Sequence, residues 1–413
     1  MTTVICPYCF ERSPAARLPF RCLMKTTGVL GKAPCHPVRD DAWADFMGSS
    51  AAPAQRERGP VFLAPRPLAS LGSGPGRAAC PDCGVVSTLR VCRRCHSDLP
   101  SDYCDQDTRI IALVGPKAAG KSTYVQVLVN ELRHRVGRAY DASVVPMGAE
   151  TQRRDREAAE DLYERLRLPQ ATRPAATGFN QPLLYRLSLP RPRRPGSTLH
   201  TALVFFDAAG EDLADDDATR RYTSYLASAD GIILLVDPLQ LGTVRDLVPP
   251  ADGPLPISET PAQQIASNIA EQLRAHRGRR TGGRLATPVA VALTKTDRLR
   301  ELVPPHSLLL RNASHEDGNY RESERRSVHE EVRGLLEGWD SGALYRQLNH
   351  DFAEVSLFGL SSLGAPPPPH APSDVPPSGP QPLRVEDPLL WLLSRRGLLP
   401  RAREGRNRRE VPA

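Results

Sequence analysis

Gly115-Pro116-Lys117-Ala118-Ala119-Gly120-Lys121-Ser122, followed by Thr123, is the stretch on which the fold turns. It matches G-x-x-x-x-G-K-[ST], a phosphate-binding loop. The apolar run before it, residues 110–114, reads as a buried strand. After it, Val125, Leu128, Val129, Leu132 and Val136 recur at helical spacing over residues 123–136. Strand, glycine loop and helix together distinguish a nucleotide site from an ordinary turn. Glycines let backbone N–H groups curl around phosphate oxygens, and the helix N-terminus adds the positive end of its dipole. Lys121 is placed to reach the β- and γ-phosphates and the Ser122 hydroxyl to ligate Mg²⁺.

Later segments fall in the order a guanine-nucleotide site requires. Residues 201–206 form a second apolar strand that runs into Asp207-Ala208-Ala209-Gly210-Glu211, a D-x-x-G motif. An Asp at a strand's C-terminal end can hold Mg²⁺ through water, and the Gly210 N–H can meet the γ-phosphate. Residues 231–236 read as another buried strand. Residues 288–293 then lead into Thr294-Lys295-Thr296-Asp297, the pattern of a guanine-specificity motif. Its Asp297 carboxylate accepts two hydrogen bonds from the guanine edge, which adenine cannot donate. The stem of Lys295 packs on the purine. A last strand, residues 355–360, opens into Ser361-Ser362-Leu363-Gly364, a short serine loop suited to closing over guanine O6. The alternative is a P-loop ATPase with an unrelated Thr-Lys-Thr-Asp turn.

The chain holds nine cysteines, and eight precede Ser97. Cys80-x2-Cys83-x8-Cys92-x2-Cys95 is a paired C-x-x-C framework, expected to supply four thiolates to one tetrahedral Zn²⁺. The spacer is shorter than in common zinc motifs. Cys6-x2-Cys9, Cys22 and Cys35 form a second candidate zinc set, with His36 as an alternative to Cys35. Cys104 is left over and reads as a small buried side chain. No secretory segment opens the chain and no apolar run reaches the ~20 residues of a membrane span. The expectation is a cytoplasmic protein whose thiols hold metal.

From these motifs the chain resembles the translation-factor and Ras-like (TRAFAC) class of P-loop GTPases, from Arg109 onward. More narrowly, it resembles bacterial zinc-ribbon double-GTPase proteins of predicted conflict or stress systems. That likeness rests on the N-terminal cysteines, the long insertions and the tail motif Val385-Glu386-Asp387-Pro388-Leu389-Leu390-Trp391. The resemblance implies an α/β fold: a Ras-like, mostly parallel sheet with helices on both faces, preceded by zinc-ribbon lobes. It implies GTP and GDP as ligands, Mg²⁺ and Zn²⁺ as cofactors, and a protein effector or second GTPase as partner. A switch Thr that ligates Mg²⁺ is expected at Thr172 or Thr177, with Thr172 favoured by its Pro-x-x-Thr setting. Glu211 stands where many relatives carry a water-orienting Gln, which implies slow intrinsic hydrolysis. A non-hydrolysing nucleotide-binding scaffold is the rival reading.

The division expected is a zinc-binding lobe over 1–47, an Ala/Pro/Gly-rich linker over 48–79, a zinc ribbon over 80–99, the GTPase domain over 105–396 and a basic tail over 397–413. Residues 150–167 should be a charged helix. The Pro-rich run 365–382 should be disordered or polyproline-like. A net charge of +7 is modest for 413 residues. The arginine clusters read as solvated loops, with a weak nucleic-acid footprint as the lesser alternative. Aromatic residues make up 5% of the chain, too few for a base-stacking platform.

Overall fold

The computed structural model describes residues 3–25, 29, 31–48, 53–65, 76–116, 119–169, 181–191, 196–207, 223–248, 260–277, 283–313, 315, 317–368, 370–371 and 373–402. Its main body is a seven-stranded sheet. In chain order the strands are β1 (Asp107–Val114), β2 (Ser143–Pro146), β3 (Leu183–Pro190), β4 (Thr198–Asp207), β5 (Gly231–Val236), β6 (Val289–Leu293) and β7 (Val355–Gly359). Across the sheet they run β2-β3-β4-β1-β5-β6-β7. The central pairings β4–β1, β1–β5, β5–β6 and β6–β7 are parallel, while β2–β3 and β3–β4 are antiparallel. This is the α/β, mostly parallel architecture expected from the motifs.

Parallel central strands are buried on both faces, so they read as unbroken apolar runs. In β1, Ile110, Ala112 and Val114 enter one core cluster, and Ile111 and Leu113 enter the other. Helices α4 (Ala262–Arg277), α5 (Glu322–Gly338) and α6 (Gly342–Asp351) supply the first cluster through Ile265, Ile269, Val328, Val332 and Leu348. The second cluster is covered by α1 (Lys121–Arg133), α2 (Arg135–Tyr140) and α7 (Asp387–Arg395). Every residue of α7 from Asp387 to Ser394 is buried. The helix lies so close to β5 that a Cβ on Gly231 would meet Leu392 at 2.6 Å, which explains a glycine at that strand position.

Three local expectations change. The helix expected over 123–136 breaks at His134, whose backbone leaves the helical region (φ −102°, ψ −82°), and restarts as α2. The charged helix expected over 150–167 is α3 (Ala149–Ala159), ending in a π-helical turn over Glu160–Glu164. The Pro-rich run is held, among its described residues, against the segment after α3. Val375 is buried, its N–H donates to Leu166 O at 2.7 Å, and Leu168 N–H donates to Ser373 O at 2.8 Å. Pro376 and Pro380 are buried as well, and prolines leave the chain less conformational entropy to lose on docking.

The N-terminal part is built from short antiparallel pairs: Thr3–Ile5 with Arg12–Pro14, Phe20–Arg21 with Val61–Phe62, Val38–Arg39 with Glu57–Arg58, and Ala78–Ala79 with Val86–Ser87. Part of the expected linker belongs to the lobe: residues 57–62 supply two of these strands, and Phe62 stacks on Phe20 with centroids 6.0 Å apart. The start of the expected basic tail is also packed. Leu398 and Leu399 are buried, and Ala402 N–H donates to Tyr320 O.

Candidate nucleotide and metal sites

At the end of β1 the chain turns into the phosphate loop. Gly115 lies so near β5 that a Cβ there would sit 2.8 Å from Leu235 O. Gly120 adopts φ +84°, a left-handed conformation that suits glycine, and its carbonyl accepts the first helical bond from Tyr124 N–H at 2.8 Å. Lys121 folds back and donates to Gly115 O at 2.9 Å and Pro116 O at 3.1 Å. Its ammonium thus closes the loop over which a triphosphate would lie. Ser122 follows on the first turn of α1, and Asp207 ends β4 in register with Leu113 of β1. Lys117, Ala118, Thr172, Thr177, Gly210 and Glu211 lie outside the described residues.

The Thr294–Asp297 motif and the serine loop converge from two strand ends. Thr294, Lys295 and Asp297 follow β6, and Ser361 follows β7. Thr294 N–H donates to Val236 O at 2.9 Å, and Thr296 N–H to Leu360 O at 3.2 Å. Lys295 takes a left-handed backbone (φ +53°). Asp297 is buried, and Ser361 Oγ donates to its Oδ1 at 2.5 Å, while Gly364 N–H donates to the same Oγ at 2.8 Å. The serine loop therefore fixes the orientation of the carboxylate. Sequence reasoning missed one member. Asp237, just after β5 and 1% exposed, pairs with Lys295 Nζ at 2.6 Å and caps the next turn through Leu239 N–H. The signal was present, since an Asp directly follows an apolar strand.

The eight cysteines form two quartets, but not those the spacing suggested. Cys6, Cys9, Cys92 and Cys95 form one group, and Cys22, Cys35, Cys80 and Cys83 the other. Each C-x-x-C of the 80–95 framework meets a partner from the N-terminal segment. The cause is the spacer between Cys83 and Cys92. It does not turn back on itself but runs extended beside residues 19–21, with Arg21 N–H donating to Leu89 O and Val91 N–H to Pro19 O, each at 2.9 Å. Its two ends therefore face different ways. The zinc lobe of 1–47 and the ribbon of 80–99 are one interlocked unit, and Cys35, not His36, joins the second quartet.

The donor sets suit Zn²⁺. Sulfurs about 2.3 Å from a tetrahedral ion stand roughly 3.8 Å apart. Here Cys6–Cys95, Cys9–Cys92, Cys22–Cys83 and Cys35–Cys80 are 3.7, 3.5, 3.5 and 3.8 Å apart, well beyond a disulfide. Backbone N–H groups of Tyr8, Met24 and Arg94 point at Cys6, Cys22 and Cys92 sulfurs at 3.4 Å, as donors to thiolates do. Burial pushes the Cys6 thiol well up, while S–H donors from Cys6 and Cys9 hold Cys92 far below the ordinary range. A divalent cation bound among thiols this close together would hold them as thiolates. Cys104, outside both quartets, is fully buried, and burial raises its thiol to about 11.

A buried arginine ties together the segments that carry the two cysteine quartets. Arg21 donates through Nε to Asp98 Oδ1 at 2.7 Å, through Nη1 to Asp40 Oδ2 and Gly59 O at 3.0 Å each, and through Nη2 to His96 O at 2.6 Å. Burial alone would raise the Asp40 carboxyl. Hydrogen bonds from His96, Trp43 N–H and Arg21 outweigh it and hold the group below its ordinary value.

Residues 109–348 match the Double-GTPase 2 family, and the chain belongs to that family. A relative from Mycolicibacterium smegmatis, SaeC, provisionally described as an ESX-1 scaffolding and assembly protein, is 27% identical over 378 residues, spanning 86% of this chain and 93% of its own. Among solved structures, the Arl6 BBS3 small GTPase of Trypanosoma brucei is 13% identical and covers 70% of this chain and 98% of its own, with a TM-score of 0.27. The G domain of the T. maritima FeoB iron transporter is 11% identical, covers 62% and 87%, and has a TM-score of 0.23. Similarity at that level says nothing about this chain's substrates or partners. No helix among the described residues is long and apolar enough to cross a membrane.

Proposed function

We propose that this protein is a guanine-nucleotide switch that hydrolyses GTP slowly and carries its partner-binding role on a zinc-stabilised N-terminal unit. The observation that carries the reading is a pair of contacts at the strand ends, in which Ser361 orients Asp297 and Asp237 anchors Lys295. An oriented, buried carboxylate accepts two charge-assisted bonds from guanine and is left unpaired by adenine. Lys121 neutralises the β/γ-phosphate charge that builds during transfer. Ser122, Asp207 and Thr172 offer hard oxygen donors of the kind that hold Mg²⁺, which when bound screens the same phosphates. Glu211 orients the attacking water. The thiol quartets suit a reducing compartment, the cytoplasm.

Asp297→Ala should weaken GTP binding by on the order of 2–4 kcal/mol, by analogy with truncated buried charge partners. Competition between Mg·GTP and Mg·ATP for the wild-type protein is the direct test, and equal affinity would refute guanine selection. The relative described as a scaffolding protein favours a second reading, a nucleotide-binding scaffold without turnover. Single-turnover assays separate the two, because the scaffold retains GTP unchanged. The likeness to zinc-ribbon double-GTPase proteins supports a role in a bacterial conflict or stress system with a second GTPase as partner. Co-purification of such a GTPase in the GTP state, and its absence in the GDP state, is the expected result.

A further inference from the structure

The first cysteine quartet lies on the same core that backs the phosphate loop. Phe10 directly follows Cys9, and its φ of +59° is set by the knuckle turn that its own N–H closes onto Cys6 O at 3.0 Å. The Phe10 ring is buried and packs against Tyr225, with centroids 5.3 Å apart. Tyr225 is fully buried, and its hydroxyl is inserted at β1: it accepts from Leu113 N–H at 2.9 Å and donates to Ile111 O at 3.0 Å. Leu113 is two residues from Gly115. A second tether runs from Tyr103 OH to Ile5 O at 2.8 Å, next to Cys6. Among the described residues, the other quartet has no such aromatic and hydroxyl relay to β1. Its neighbours Phe20, Phe62, Ala78 and Val85 form a separate cluster.

We propose that Tyr225 is a positioning residue for the bound nucleotide, and that Phe10 couples it to the first cysteine quartet, so that metal at that quartet and nucleotide at the phosphate loop tighten each other. This rests on the GTP-binding reading above. The physical basis is that the knuckle fixes Phe10, Phe10 fixes the Tyr225 ring, and the Tyr225 hydroxyl holds the strand whose end presents Gly115 and Lys121. Such coupling is reciprocal by linkage: whatever factor metal contributes to nucleotide affinity, nucleotide contributes to metal affinity.

The test uses the full chain loaded with zinc. Two quantities are read: the dissociation constant of a fluorescent GDP analogue, and the rate at which a chelator removes zinc with and without GDP. In the wild type, GDP should slow the loss of one of two zinc ions. Tyr225→Phe keeps the ring but removes the hydroxyl and both of its hydrogen bonds to β1, and should weaken the analogue roughly tenfold or more. Phe10→Ala should abolish the protection of zinc by GDP, and Phe10→Leu should recover much of it. Phe62→Ala removes an aromatic from the other cluster and should leave GDP affinity unchanged. Equal zinc loss with and without GDP in the wild type would overturn the coupling, as would unchanged affinity in the isosteric Tyr225→Phe, or equal weakening in Phe62→Ala and Phe10→Ala. Failure of the wild type to bind any guanine nucleotide would instead overturn the GTP-binding reading, and the coupling with it.

Discussion

The two cysteine quartets have the same ligands and nearly the same sulfur spacing, yet they are embedded differently. Cys6, Cys9, Cys92 and Cys95 share a core cluster with Leu99, Tyr103, Ile110 and Tyr225, which belong to or abut the GTPase sheet. Cys22, Cys80 and Cys83 sit with Phe20, Phe62, Ala78 and Val85 in a small cluster of their own. The first site should therefore share the fate of the main fold, and the second only that of its lobe. Ligand chemistry sets how tightly each holds metal, and the surrounding core sets what else fails when metal leaves.

The largest effect that could break this contrast is removal of the first site. Structural zinc contributes on the order of 10 kcal/mol or more of apparent folding free energy. Cys9→Ser should lose one of two zinc ions and lower the main calorimetric transition, whereas Cys83→Ser should lose one ion and leave that transition in place. Equal shifts in both variants would show that the two lobes are not energetically distinct.

Next in size is the link between them. Arg21→Met strips the shared partner from buried Asp40 and from Asp98, and should cost about 3–5 kcal/mol in lobe stability. Hydrogen exchange should show residues 19–21 and 87–91 opening while β1 stays protected. If β1 opens with them, the lobe is a support for the sheet and not an appendage.

A smaller probe acts on the GTPase half alone. Burial would lower the His315 imidazole, but hydrogen bonds to the Asp387 and Glu386 carboxylates outweigh it and raise the group to about 9. A raised folded-state value means this stabilisation is complete below the unfolded value near 6.5 and is lost as pH climbs through about 9. The loss across that window should be on the order of 1–3 kcal/mol, and His315→Gln should flatten it. Zinc retention by the second quartet should not follow the same curve. The smallest change is a baseline: Arg153, in an exposed ion-pair ladder with Glu150 and Glu157, should give no measurable shift in melting when replaced by Ala.

The parallel strands of the sheet, and the positions of the P-loop and Thr294–Asp297 motifs at their ends, were legible because each depends on local pattern; the short edge strand β2 was not. Apolar runs mark buried strands, and the P-loop and Thr294–Asp297 motifs sit at strand ends where backbone geometry follows directly. The pairing of cysteines was not legible in the same way, because it depends on whether an eight-residue spacer turns or extends. That choice is made by contacts with residues 19–21, far away in the chain. The short spacer was the one warning in the sequence. Asp237 and Tyr225 escaped for a related reason: each acquires its role from a partner on another element, Lys295 in one case and β1 in the other.

The crossed cysteines also carry a consequence for synthesis. Cys6 must wait for Cys95, 89 residues later in the chain. At ribosomal speeds of about 5–20 residues per second, the early thiols stand unpartnered for roughly 4–18 seconds. Until Cys80 and Cys83 are made an N-terminal fragment can assemble neither quartet, so oxidation or capture of a wrong metal competes with correct closure from the first knuckle onward. The protein's exposure to oxidants should thus be greatest while it is being made.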